Sequence, residues 1–192
     1  MKIIYKQCPR CESKDTLKIL YGMPSREIFE SGKYWIGGCC ILIDEDGEIL
    51  DPEYHCKSCG YEWSKKQAID DWYRSIEVLK VSIGSCFVKT AKVVIDFKGS
   101  NIQWGPVFPN EELKNKKDLS KKDIDMILRE LITSDFLKWK AKYVNEEILD
   151  GTQWEIEYIM KNKLRKIHGS NDYPNGWSKF TCLLEGLTGL EV

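Results

Sequence analysis

The spacing of apolar residues changes along the chain. Up to about residue 73 they come in short groups broken by glycine, proline and acidic residues, which predicts short strands and turns. Gly22 and Pro24 mark a turn, Ser25 suits a helix cap and Gly32 a helix end, so a helix of about two turns is expected between them. Ile36–Ile43 reads as a strand, and Asp46-Gly47 within "IDEDGEI" as a hairpin tip. From Ile76 the groups lengthen. Strands are expected around Ile76–Ile83 and Phe87–Phe97, with a third at Ile102–Trp104 that Pro106 and Pro109 break.

Ser120 followed by Asp123 predicts a capped helix start, and Ile124, Ile127, Leu128, Leu131 and Ile132 lie on one helical stripe. Thr133-Ser134-Asp135 interrupts it, and a second helical stretch is expected to carry Phe136, Trp139 and Tyr143. Trp154, Ile156, Tyr158 and Met160 alternate with Gln153, Glu155, Glu157 and Ile159, the mark of a half-buried strand. Asn162 suits a turn back into Leu164–His168, and Trp177, Phe180, Leu183, Leu184 and Leu187 outline a terminal amphipathic helix. The order predicts an α+β fold. A small β-rich module, residues 1–73, precedes an antiparallel sheet with helices on one face, residues 74–192.

Composition adds the compartment. No apolar run approaches the roughly 18–20 residues that span a bilayer, and "MKIIYKQCPR" lacks the apolar core of a signal peptide. A cytoplasmic protein is expected, and there closely spaced cysteines read as metal ligands before disulfides. The net charge of −1 divides unevenly. Residues 1–73 hold 10 basic and 13 acidic residues, and residues 74–192 hold 19 and 17. An acidic module is a poor start for binding phosphate backbones.

Six of the eight cysteines precede Gly60. Cys8-Pro-Arg-Cys11 and Cys56-Lys-Ser-Cys59 are two C-x2-C pairs, which together supply the four soft thiolates that favour tetrahedral zinc. Gly60 follows the second pair and suits the left-handed turn of such a knuckle, whereas Glu12 holds that place after the first. Trp63 is placed to pack over the site. Four protein thiolates leave no open coordination position, so the metal's role reads as structural. The same spacing also accepts iron, as in a rubredoxin.

The blocks "CPRCES", "LYGMPSREIFESG", "IGGCC" and "PEYHCKSCGYEW", in that order, resemble an uncharacterised bacterial zinc-ribbon family over about residues 5–64. The resemblance implies Cys8, Cys11, Cys56 and Cys59 as zinc ligands and implies no activity; Glu12 departs from the usual glycine. The later residues are similar in layout to bacterial domains of unknown function, through the "Ser-x-x-Asp" helix and the "Gly-x-Asn-x-Tyr-Pro" loop.

Little else points to chemistry. His55 abuts Cys56 and reads as a residue supporting the knuckle or lying on its surface. His168 stands beside Gly169, Ser170, Asn171 and Asp172, a cluster that reads as a polar loop satisfying turn backbone rather than as a pocket. Cys86 and Cys182 lie among apolar residues and read as small core residues. "KNKLRKIH" and "KNKKDLSKK" are basic, but neighbouring acids offset them, and they read as a solvated hairpin tip and a lysine-rich loop. On a regular strand Cys39 and Cys40 would face opposite sides, with Gly37 and Gly38 marking close backbone packing or a bulge.

The reading that fits best is a non-catalytic zinc protein that binds another protein, with no membrane partner. Nucleic-acid binding is the alternative, and rubredoxin-like iron electron transfer the second.

Overall fold

The computed structural model describes residues 5–84, 90–107, 112–148 and 150–190. The chain forms two compact units, one running to Trp72 and one from Tyr73 onward. Among the described residues, no helix is long and apolar enough to cross a membrane.

The first unit is a four-stranded sheet of order β2-β1-β3-β4, built from β1 (Thr16–Tyr21), β2 (Tyr34–Gly38), β3 (Tyr54–Cys56) and β4 (Glu62–Trp63). β1 and β2 run parallel because helix α1 (Arg26–Glu30) carries the chain back between them. Ser25 caps α1 by accepting the Ile28 N–H, and Gly32 takes a left-handed φ of 63° just after it. The Asp46-Gly47 tip forms, closed by a single Ile43–Ile49 bridge, and the Asp44 carboxylate accepts the N–H groups of Asp46 and Glu48.

The expected strand over Ile36–Ile43 stops at Gly38. A Cβ on Gly37 would come within 2.6 Å of Ile19 and Tyr21, and the β1–β2 register slips where Tyr21 meets Gly38. Close packing and a bulge therefore both occur, and they end the strand before the cysteines.

Helix α2 (Lys65–Arg74) crosses from the first unit to the second. The second unit is a seven-stranded sheet of order β8-β7-β6-β5-β10-β11-β9. Its strands are β5 (Ile76–Gly84), β6 (Thr90–Asp96), β7 (Asn101–Val107), β8 (Asn115–Asp118), β9 (Lys142–Val144), β10 (Gln153–Met160) and β11 (Lys163–Ser170). All pairings are antiparallel except β9 with β11. The alternation in β10 holds: Trp154, Ile156, Tyr158 and Met160 are buried, and they share a face with Leu79, Val81, Ile83, Val93, Ile95 and Ile167. Lys161 and Asn162 both take left-handed φ values, the two-residue turn that matches strand twist.

Helices α3 (Lys121–Thr133) and α4 (Trp177–Thr188) complete this unit. Ser120 and Asp123 form the full capping box, and Ile127, Leu128 and Leu131 are buried. From α4, Trp177 lies 4.5 Å from Trp154, which seats the helix on the apolar face of the sheet.

Three expectations fail for physical reasons. β7 continues through Pro106, because β8 pairs only with Asn101–Trp104 and leaves that side of Pro106 with no N–H to supply. The lysine-rich loop is partly β8, an edge strand with every residue exposed, and its lysines discourage further pairing. The second helical stretch is one 3-10 turn (Phe136–Lys138): Asp135 enters the left-handed region and ends α3, and Tyr143 then joins β9. Of the strand expected over Phe87–Phe97, Phe87–Lys89 lie outside the described residues, as does Cys86. Cys182 is exposed on α4 rather than buried.

Candidate metal centre

Two turns, one before β1 and one between β3 and β4, bring four sulfurs together. The Glu12 N–H donates to the Cys8 carbonyl (2.9 Å) and the Gly60 N–H to the Cys56 carbonyl (2.8 Å). The Cys8 N–H donates to the Ser13 carbonyl (3.0 Å) and the Cys56 N–H to the Tyr61 carbonyl (2.9 Å). The two knuckles share one backbone pattern, and both turn through the left-handed region, at φ 60° for Glu12 and 71° for Gly60. Glu12 therefore adopts the geometry that glycine would take more easily.

The Sγ atoms of Cys8, Cys11, Cys56 and Cys59 all lie within 4.8 Å of one another. Cys8 to Cys59 is 3.7 Å and Cys11 to Cys56 is 3.5 Å. Disulfide sulfurs stand about 2.05 Å apart, so these are not bonded pairs. A tetrahedron of bonds about 2.3 Å long has edges of roughly 3.8 Å, which suits four thiolates around one ion. Cys8 and Cys56 are buried while Cys11 and Cys59 are exposed, so the cluster has a protein side and a solvent side.

The protein side is aromatic. Trp63, fully buried, belongs to one cluster with Cys8, Cys56, Tyr54 and Ala68, flanked by Tyr5 and Tyr61. Its indole N–H donates to the Tyr5 carbonyl (2.9 Å), which ties the chain ahead of the first knuckle to β4. Water is kept from the inner pair of sulfurs.

Burial pushes the Cys8 thiol up to about 12, against the Cys11 and Arg10 N–H groups. Burial also acts to raise Cys56, but the Cys59 and Ser58 N–H groups and the Cys11 and Cys59 sulfurs outweigh it and bring its pKa down to about 7. Cys11 sits above its ordinary value: the Ser13 N–H lowers it, and desolvation with the Cys59 and Cys56 sulfurs more than offsets that. Without a cation, four thiolates in this space repel one another and some keep protons. A bound cation displaces those protons, so affinity falls as pH falls.

Replacing Glu12 with glycine tests the first knuckle. A left-handed non-glycine residue costs roughly 1–2 kcal/mol, and glycine's freedom in the unfolded chain takes back about 0.4–1. Glu12→Gly is expected to stabilise the metal-loaded first unit by roughly 0.5–1 kcal/mol, read from its thermal midpoint. A clear loss would mean that the Glu12 side chain does more for the knuckle than its backbone strain costs.

His55 does not support the sulfurs. On β3 it points to the opposite face from Cys56, stacks on Trp35 with centroids 3.7 Å apart, and its Nδ1 lies 2.8 Å from Glu62. That burial depends on two residues distant in sequence, so no local signal announces it.

His168 borders an open groove of about 480 Å³ with Ser82, Glu155 and Ser170. The register sets Ser82, Glu155 and His168 in one row across β5, β10 and β11, with the carboxylate in the middle. Ser82 and His168 are thus two strand spacings apart, about 10 Å, too far for a hydroxyl nucleophile and its base. Asn171 instead accepts the Thr152 N–H, and Asp172 accepts the Tyr173 N–H, so this loop satisfies turn backbone.

Cys39 and Cys40 are both exposed, with sulfurs 3.5 Å apart on one side of the chain rather than on opposite faces. The four-cysteine cluster does not include them.

No protein-family model matches this chain, and no curated protein matches it.

Proposed function

We propose that the chain is a non-catalytic protein in which a structural zinc ion holds a small ribbon-like module, and that the segment between the two cysteine pairs binds another protein. The observation that carries the reading is the closed set of four sulfurs, all within 4.8 Å, which uses every position of a tetrahedral ion. The unit needs such a staple. Among its described residues the buried apolar ones are Cys8, Ile19, Tyr54, Cys56, Trp63 and Ala68, and two of these are cysteines of the cluster.

The protein-binding half rests on what the module leaves uncovered. Of the fourteen large apolar side chains exposed among the described residues, ten lie between Met23 and Leu50, including Phe29, Trp35, Leu42 and Leu50. An apolar surface of this kind marks an interaction site. Residues 23–51 also hold seven acidic residues against two basic ones, which repels a phosphate backbone.

One experiment addresses both halves. The full chain is captured from its native host beside a Phe29→Ser/Leu42→Ser/Leu50→Ser variant, and metal is measured in both samples. The reading expects one zinc per chain in each and a partner protein lost with the variant. Stoichiometric iron and a red colour would replace it with electron transfer. Co-purifying nucleic acid, released steeply by salt, would replace it with nucleic-acid binding.

A further inference from the structure

The exposed thiols of Cys39 and Cys40 lie outside the four-cysteine cluster, and their chain is held at both ends. On one side, the Gly22 N–H donates to the Gly38 carbonyl (2.8 Å), with Gly38 at φ 118° and Gly37 pressed against Ile19 and Tyr21. On the other, the Leu42 N–H donates to the Asp51 carboxylate. Between these anchors the two sulfurs stand 3.5 Å apart, exposed and on the same side.

A direct bond between them is disfavoured. Consecutive Cα atoms are about 3.8 Å apart, whereas disulfides want roughly 4.4–6.8 Å. A one-atom bridge has no such conflict. Two bonds of about 2.3 Å, the length of a metal–thiolate bond, close the 3.5 Å gap at an angle of roughly 100°. The only group of three or more His, Cys, Asp or Glu donors among the described residues is the four-cysteine cluster, so the pair has no third protein ligand of these types. Zinc seeks three or four protein ligands. A soft centre that brings its own third substituent needs only two thiols.

We propose that Cys39 and Cys40 form a two-thiol clamp for a trivalent arsenical. An arsenoxide R–As=O condenses with both thiols: two S–H bonds and the arsenic–oxygen bond break, two As–S bonds form, and the oxygen leaves with both protons as water. Arsenic stays trivalent and no oxidant is consumed.

The test uses phenylarsine oxide on the full metal-loaded chain, followed by intact and peptide mass spectrometry. One phenylarsenic per chain is expected, mapping to Cys39 and Cys40, protecting both from alkylation, removable by excess dithiol and leaving the metal content unchanged. Cys39→Ser/Cys40→Ser is expected to abolish the adduct while keeping the metal and the circular dichroism spectrum, since neither side chain is buried. Each single serine variant is expected to weaken binding on the order of 10²-fold, the loss of a chelate's second arm. No adduct on the parent chain, an adduct that survives in the double variant, or single variants that bind as tightly as the parent would each overturn the clamp.

Discussion

Cys56→Ser is expected to empty the four-sulfur site and unfold the first unit while the second stays folded. Cys56 is fully buried beside Trp63, and the surrounding N–H groups and sulfurs bring its thiol down to about 7. Serine supplies a harder oxygen on a shorter bond, and in a dry pocket that hydroxyl also needs a partner. The apparent free energy of a structural zinc site is about 10–16 kcal/mol in small modules, against a total stability of about 5–15 kcal/mol for an ordinary domain. A unit with six buried apolar residues among its described ones has no reserve to replace it. Hydrogen exchange would read both units at once. Protection should vanish along the Thr16–Cys56 pairing of β1 with β3 and persist along β5 and β10. Metal content should fall to background. A variant that keeps one metal per chain would refute Cys56 as a ligand.

What could be read from the chain beforehand was what is local in it. A C-x2-C pair makes a knuckle from four consecutive residues, and the Ser120–Asp123 box and the alternation of β10 are equally short-ranged. The misses depend on distant partners. β8 reads Asn-Lys-Lys-Asp, with no apolar residue to announce a strand, and exists because β7 offers an edge. Phe136 and Trp139 have helical spacing, yet they are buried by packing on Tyr158 and Phe180. The strand containing the vicinal cysteines ended early because Gly37 had to lie against Ile19 and Tyr21, a contact between strands that spacing along one strand cannot reveal.

The junction between α3 and α4 predicts opposite outcomes for two glycine-to-alanine changes. Gly176 precedes α4 at φ 86°, and a Cβ there would sit 2.3 Å from the Ser134 carbonyl oxygen. The obstacle is backbone, and it is not free to move. The Trp139 indole N–H donates to that same carbonyl (3.1 Å) and to the Asn175 carbonyl (3.0 Å), tying the end of α3 to the start of α4. Trp139 and Phe136 in turn pack on Phe180, whose N–H donates to the Gly176 carbonyl (3.1 Å). Gly176→Ala must therefore both strain a left-handed alanine, at roughly 1–2 kcal/mol, and push apart an aromatic core, at about 1–3 kcal/mol more. The expected loss for the second unit is roughly 2–5 kcal/mol. Gly186, ten residues on in the same helix, has nothing within 4 Å of an added Cβ. Gly186→Ala is expected to stabilise by about 0.5–1 kcal/mol through helix propensity and reduced unfolded-state freedom. Thermal melts of the two variants should bracket the parent. Equal melts for Gly176→Ala and the parent would mean that α4 begins by a different turn from the one that Gly176 makes against Ser134.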